Sequence, residues 1–229
     1  KPQIELRCAQ DFVDVNVTGT LNLLEAATRR GIRSFVMTST TSVMVTQQIH
    51  EGGLGRAVFL DETSGPLEPR NIYGVTKLAA EGLARTFHLC HGLPVVILRT
   101  SRFFPEDDDR EGGIYGPNLK ANELLFRRLS VADAARAHLL ALERTRRMGF
   151  GLFVLSAPTP FRPADADELA RDAESVVARY FPSAAAIYAK LGWKLPRSIE
   201  RVYDSSRSRE VLGVKYRDDF GALLEALSK

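Results

Sequence analysis

The run Pro94-Val-Val-Ile-Leu-Arg-Thr100 constrains this chain most. It is apolar, rich in β-branched residues and free of alternation, the pattern of a parallel strand buried on both faces. Such a strand needs helices to cover it and a second parallel strand beside it. The preceding sequence supplies both. Residues from about Ile72 to His91 place apolar side chains at helical spacing and stop at Gly92 and Pro94. Phe12, Val13, Val17, Leu21, Leu24 and Ala27 predict another helix over 12–30, with Gly31 as its stop. Ser34 to Met37 reads as a short buried strand ending in the hydroxyl run Thr38-Ser-Thr-Thr-Ser42. The order helix, strand, loop, helix, strand predicts an α/β fold with a parallel sheet.

Residues 45–70 are polar and broken by Gly52, Gly53, Gly55, Gly65, Pro66 and Pro69, which predicts a loop with room for a small hairpin or a turn of helix. Residues 101–121 predict an acidic, glycine-containing loop. Ser130-Val-Ala-Asp133 has the form of a capping box opening a helix to about Arg144, and Gly151 to Leu155 reads as a third strand. Beyond Ala157 the pattern changes to helices near 165–181, 183–191 and 217–228, with a short strand near 199–203. This predicts two units: 1–100 with 130–156 around the sheet, and 101–129 with 157–229 as a smaller, mostly helical lobe.

Of the 229 residues, 45% are apolar and 26% charged, which excludes a disordered or collagenous chain. No apolar run approaches the roughly 18 residues of a membrane span. The net charge of +3 is spread along the chain, so no nucleic acid or membrane partner is expected. Cys8 and Cys90 make no disulfide framework, which fits a reducing, cytoplasmic setting.

Tyr73-Gly-Val-Thr-Lys77 is the sharpest chemical feature. Four residues apart on a helix, the phenol and the ammonium can meet one site. An ammonium close by lowers a phenol's pKa from its usual value near 10, making Tyr73 usable as an acid or base. By itself such a pair is also what a surface helix shows. The hydroxyl run at 38–42 adds weight, because open α/β sheets place their sites at the carboxyl ends of strands.

Four blocks, in order, resemble the extended short-chain dehydrogenase/reductases, the nucleotide-sugar epimerase/dehydratase group. They are Val15-Asn-Val-Thr-Gly-Thr-Leu-Asn-Leu-Leu-Glu-Ala-Ala27, Phe35-Val-Met-Thr-Ser-Thr40, Tyr73-Gly-Val-Thr-Lys77 and Leu98-Arg-Thr-Ser-Arg-Phe103. The resemblance implies a Rossmann-type fold with a helical substrate lobe, and NAD or NADP as cofactor. It implies Tyr73 as catalytic acid/base, Lys77 as its partner and ligand of the nicotinamide ribose, and Thr40 as the hydroxyl orienting the substrate. Thr38, Ser39, Thr100, Ser101 and Phe103 would line the cofactor side; Asn16 reads as structural. The substrate would be a small molecule, a nucleotide sugar. Thr41 and Ser42 stand where the group's dehydratases carry an acidic pair, which favours epimerisation or carbonyl reduction. The alternatives are a reductase of non-sugar carbonyls and a non-catalytic dinucleotide-binding protein. A homodimer packing the helices at 12–30 and 72–91 is also implied.

The group's glycine-rich turn between first strand and first helix has no counterpart at Gly52–Gly55, Gly112–Gly116 or Gly149–Gly151. With Lys1 in place of an initiator methionine, this predicts a chain lacking roughly 80–100 residues of leading βα units. Alone, such a chain would bind NAD(P) weakly and be unstable. His88, Cys90 and His91 offer too few ligands for a metal. Glu106 to Asp109 reads as a solvated loop rimming the pocket. Arg102, Asn118, Asn122, Arg127 and Arg128 are candidates for a phosphate clamp, and Trp193 for packing the C-terminal lobe.

Overall fold

The computed structural model describes residues 7–52, 54–103, 110–111 and 114–229. The first helical stretch runs unbroken through α1 (Ala9–Phe12), a π-helical segment (Val13–Thr18) and α2 (Gly19–Arg29). Next come β1 (Phe35–Thr40), a 3-10 turn (Thr41–Met44), α3 (Gln47–Glu51), β2 (Val58–Leu60), α4 (Ile72–His91) and β3 (Val95–Thr100). A two-residue hairpin, β4 (Arg110–Glu111) and β5 (Ile114–Tyr115), leads into α5 (Gly116–Glu123). Then follow α6 (Val131–Met148), β6 (Phe150–Leu155), α7 (Ala166–Arg171), α8 (Ala173–Tyr180) and α9 (Ala184–Leu191). The chain ends with β7 (Arg201–Tyr203), α10 (Ser206–Glu210) and α11 (Phe220–Leu227).

β1, β3 and β6 form a parallel sheet in that order. Every residue of the central β3 is buried, as its sequence requires. Side chains alternate across a strand, so Val95 and Ile97 pack with Leu24, Ala27, Ala80 and Ala84 from α2 and α4. Val96 and Leu98 pack on the opposite face, with Ala134, Ala137 and Ala141 of α6 and Phe153 and Leu155 of β6. Each fully buried Leu or Ile here contributes about 1.5–3 kcal/mol. The parallel sheet with helices on both faces is the Rossmann-type α/β architecture expected.

A second core joins α5, α7, α8, α9 and α11 around Leu125, Leu169, Val176, Tyr188 and Phe220. Trp193 meets Tyr188 edge-on at 5.5 Å, packing this lobe as expected. β2 pairs in parallel with β7, which binds the segment after α3 to the elements beyond residue 157.

Several local expectations shift. The hydroxyl run does not begin after the first strand: Thr38, Ser39 and Thr40 are its last three residues. The helix expected over 165–181 is two. Asp172 leaves helical backbone, and its carboxylate accepts the Ser175 N–H at 3.2 Å, capping α8. The segment 45–70 contains α3 and β2, and α5 occupies part of the expected loop 101–121. α6 continues to Met148, beyond Arg144, and α11 begins at Phe220. Ser130 accepts the Asp133 N–H at 3.0 Å, half of the capping box. The Asp133 carboxylate turns instead to the N–H groups of Arg217 and Asp218, at 3.1–3.2 Å, and to the Arg136 guanidinium.

Candidate active site

The site forms where the start of α4 meets the end of β1. Asn71 caps α4 by accepting the Gly74 N–H at 2.9 Å. Gly74 allows a close approach: a Cβ there would lie 2.6 Å from Pro69 Cβ and 3.1 Å from the Ser42 carbonyl oxygen. The first turn of α4 therefore sits hard against the segment that follows Thr40. At the other end, Gly92 takes the left-handed conformation (φ 66°) that stops the helix.

Thr40 is buried; its hydroxyl donates to Ser42 Oγ and accepts the Ser42 N–H, both at 3.1 Å. The Tyr73 ring is half-buried and meets Phe12 edge-on at 6.4 Å. Burial pushes the Tyr73 phenol above its usual value, and the Thr40 hydroxyl opposes that rise. Lys77 Nζ donates to the Thr38 carbonyl at 2.6 Å. Burial pulls the Lys77 ammonium down, and the Glu81 carboxylate opposes that fall.

These directions correct the expectation that Lys77 lowers the Tyr73 pKa. The ammonium is engaged by a strand carbonyl, and burial dominates the phenol. Burial therefore favours the neutral phenol at Tyr73. A group raised in the folded state adds stability that is complete below its unfolded value and lost as pH climbs through the folded one. The ultraviolet difference between wild type and Tyr73→Phe is thus expected to titrate above pH 10. A tyrosinate signal already complete near pH 9 would contradict this.

The remaining expected residues are placed as follows. Thr38 is exposed, and its hydroxyl lies 2.7 Å from His138 Nε2 on α6. Ser39 is buried and donates to Glu81 at 2.5 Å, so its side chain is spent between sheet and helix and does not line a cofactor surface. Thr100 is buried too and donates to the Ser39 carbonyl at 2.8 Å. Ser101 is buried, its N–H on the Leu155 carbonyl, and Phe103 packs against the cluster under α6. Asn16, in the π segment, donates to Thr76 at 3.0 Å and ties the first helix to α4. π segments commonly mark functional positions.

The proposed phosphate-clamp residues are tied together. Fully buried Glu123 pairs with Arg102, Arg127 and Arg128 at 2.9–3.1 Å. Asn118 and Asn122 both donate to the Lys194 carbonyl at 2.9 Å. His88 bonds the Leu93 carbonyl and stacks near Phe150, while His91 meets Phe87. Among the described residues no group of three or more His, Cys, Asp or Glu could hold a metal, and no helix is long and apolar enough to cross a membrane. The acidic run Glu106–Asp109, and Gly53, Gly112 and Gly113, lie outside the described residues.

A cavity of about 610 Å³ opens in the helical lobe, walled by Phe126, Tyr188 and Trp193, with Asn122, Lys194 and Arg197 on its lining. Sequence reasoning missed a group beneath the site. Glu81, on α4, forms a buried ion pair with Arg99 of β3 at 2.8 Å. The available signal was Arg99 itself, a charge inside a strand read as buried on both faces, which demands a partner.

A parallel α/β sheet carrying a tyrosine and a lysine one turn apart near a strand-end hydroxyl is the arrangement that the resemblance to the extended short-chain dehydrogenase/reductases implies. The sequence profile of the NAD dependent epimerase/dehydratase family matches residues 5–115 of the chain. It is similar to dTDP-glucose 4,6-dehydratase of Streptomyces griseus, with 35% identity over 132 residues, 51% of this chain and 38% of that protein. It is also similar to UDP-glucuronate 4-epimerase of Thermodesulfobacterium geofontis, with 33% identity over 118 residues, 51% of this chain and 30% of that protein. The matched part spans about a third of the length of these curated relatives. Among solved structures, UDP-N-acetylglucosamine 4-epimerase from Bacillus cereus superposes with a TM-score of 0.61 at 21% identity, over 96% of this chain and 71% of that one. UDP-glucuronic acid 4-epimerase from the same species, in complex with NAD, gives 0.58 at 18%, over 96% and 70%. At these identities the likeness is one of fold.

Proposed function

We propose that the chain carries the catalytic centre and substrate lobe of an NAD-dependent nucleotide-sugar epimerase. The observation that carries this is the strand-end arrangement: Thr40 beside Tyr73, and Lys77 one helical turn further on. The solved relatives include complexes with NAD and with UDP-glucose, which supports both ligand classes. Residues 1–100 with 130–156 would hold the cofactor side, and 101–129 with 157–229 the substrate. The cavity between Phe126 and Trp193 suits the nucleotide half of that substrate.

Thr40 would hold the reacting oxygen, and Tyr73 would move its proton. Lys77 would grip the ribose hydroxyls next to the nicotinamide. An ammonium, a phenol and a hydroxyl at the end of a parallel strand fit that end of a dinucleotide. The bound dinucleotide supplies hydride acceptance and return. No described glycine group follows a parallel strand and opens a helix: Gly52 ends α3, Gly116 follows antiparallel β5, and Gly149 precedes β6.

Thr41 and Ser42 in the turn after β1 favour epimerisation over dehydration. We also infer a homodimer through α2 and α4. Val75 and Leu89 are exposed on α4 with Gly82 midway, and Val15 and Leu23 are exposed on the first helix. The deciding assay incubates the full-length protein with NAD⁺ and UDP-glucose, following product configuration and absorbance at the NADH band. Epimerised sugar with no accumulating NADH is expected. Stoichiometric NADH would make the protein a dehydrogenase, and no turnover with no NAD binding would remove the proposal.

A further inference from the structure

Glu81, Arg99 and Ser39 are 6%, 3% and 2% exposed. Arg99 Nε and Nη2 reach the Glu81 carboxylate at 2.8–3.2 Å, and Ser39 donates to the same group. Arg99 Nη1 is buried without a partner among the described residues. Exchanging a buried ion pair for apolar residues is often neutral or stabilising, so stability alone is a weak reason for this one. Its location offers a better reason. Three consecutive residues at the end of β1 meet three levels of α4: the Thr38 carbonyl accepts from Lys77, the Ser39 hydroxyl donates to Glu81, and Thr40 faces Tyr73.

We propose that Glu81 is a positioning residue: anchored by Arg99, it locks the axial register of α4 against the end of β1, and so sets Thr40, Tyr73 and Lys77 relative to one another. This inference rests on the proposed roles of Tyr73 and Lys77. A second consequence follows from charge. Burial favours neutral Lys77, and the carboxylate one turn away works against it. The other titratable groups around this strand end are Tyr73 on α4, Arg99 on β3 and His138 on α6, which reaches the Thr38 hydroxyl. With Glu81 made neutral, burial acts unopposed and Lys77 loses its proton at lower pH.

The test is competitive acylation by acetic anhydride across pH, each lysine read by mass spectrometry. It compares wild type, Glu81→Gln and the pair Glu81→Leu with Arg99→Met, which removes both charges together and strands neither. The midpoint for Lys77 is expected to move to lower pH in both variants, with the other six lysines unchanged. In full-length protein that turns over UDP-glucose, Glu81→Gln is expected to lower kcat roughly 10- to 100-fold with little change in KM, the cost of misplaced groups. An unmoved Lys77 midpoint in a folded double variant would overturn the proposal. So would loss of the fold in both variants, which would leave the pair a stability element alone. Absence of NAD-linked turnover, by contrast, sinks the proposed function and leaves the acylation result readable.

Discussion

Tyr73→Phe in the full-length protein is expected to lower kcat by about 100- to 10,000-fold, the usual range for losing a positioned acid/base. KM should change little, because the ring stays. Phe keeps the edge-on contact with Phe12 and the packing of the first turn of α4, and removes the hydroxyl beside Thr40. Stability should fall by no more than about 1 kcal/mol, the net worth of an ordinary hydrogen bond. The group sits where burial already disfavours its ionised form. Initial rates at fixed pH, with circular dichroism to check the fold, would measure both. Full turnover in the variant would sink the assignment of Tyr73.

Asp133→Ala is expected to cost about 3 kcal/mol, since hydrogen bonds to a charged group are worth roughly 1.5–3 kcal/mol and the Arg136 guanidinium keeps access to solvent. Asp133 is fully buried at the start of α6. Its carboxylate accepts the N–H groups of Arg217 and Asp218, just ahead of α11, and pairs with Arg136. Without it, two backbone donors and a guanidinium lose their acceptor together. A chain of this size should melt roughly 10 °C lower. Thermal unfolding followed by circular dichroism would test this. A loss below about 1 kcal/mol would mean that water replaces the carboxylate at little cost. Asp133→Asn should lie between, since an amide oxygen still accepts from the backbone but carries no charge for Arg136.

What could be read in advance follows the range of the forces involved. α4 was legible from end to end because its determinants are local: Asn71 caps it, apolar positions repeat through it, and Gly92 stops it in a left-handed turn. β3 was legible because burial on both faces leaves no alternation to misread. The break at Asp172 was not, because a carboxylate that caps the next helix looks like any helical surface residue until the chain turns. Ser130 and Asp133 show the same limit: the cap was visible, but the backbone N–H groups that Asp133 accepts lie more than 80 residues away.

The candidate site divides along the same line. By itself the sequence determined the α/β class, the helix that carries Tyr73 and Lys77 on one face, and the strand that ends in hydroxyls. Those are consequences of periodicity and of residues a few positions apart. Only the tertiary structure decided which way each group points. It turned Lys77 to the Thr38 carbonyl, spent Ser39 on Glu81, and buried the phenol so that its pKa rises instead of falling. Hydrogen bonding and desolvation depend on what packs against a group, and here that neighbour arrives from about 40 residues away along the chain.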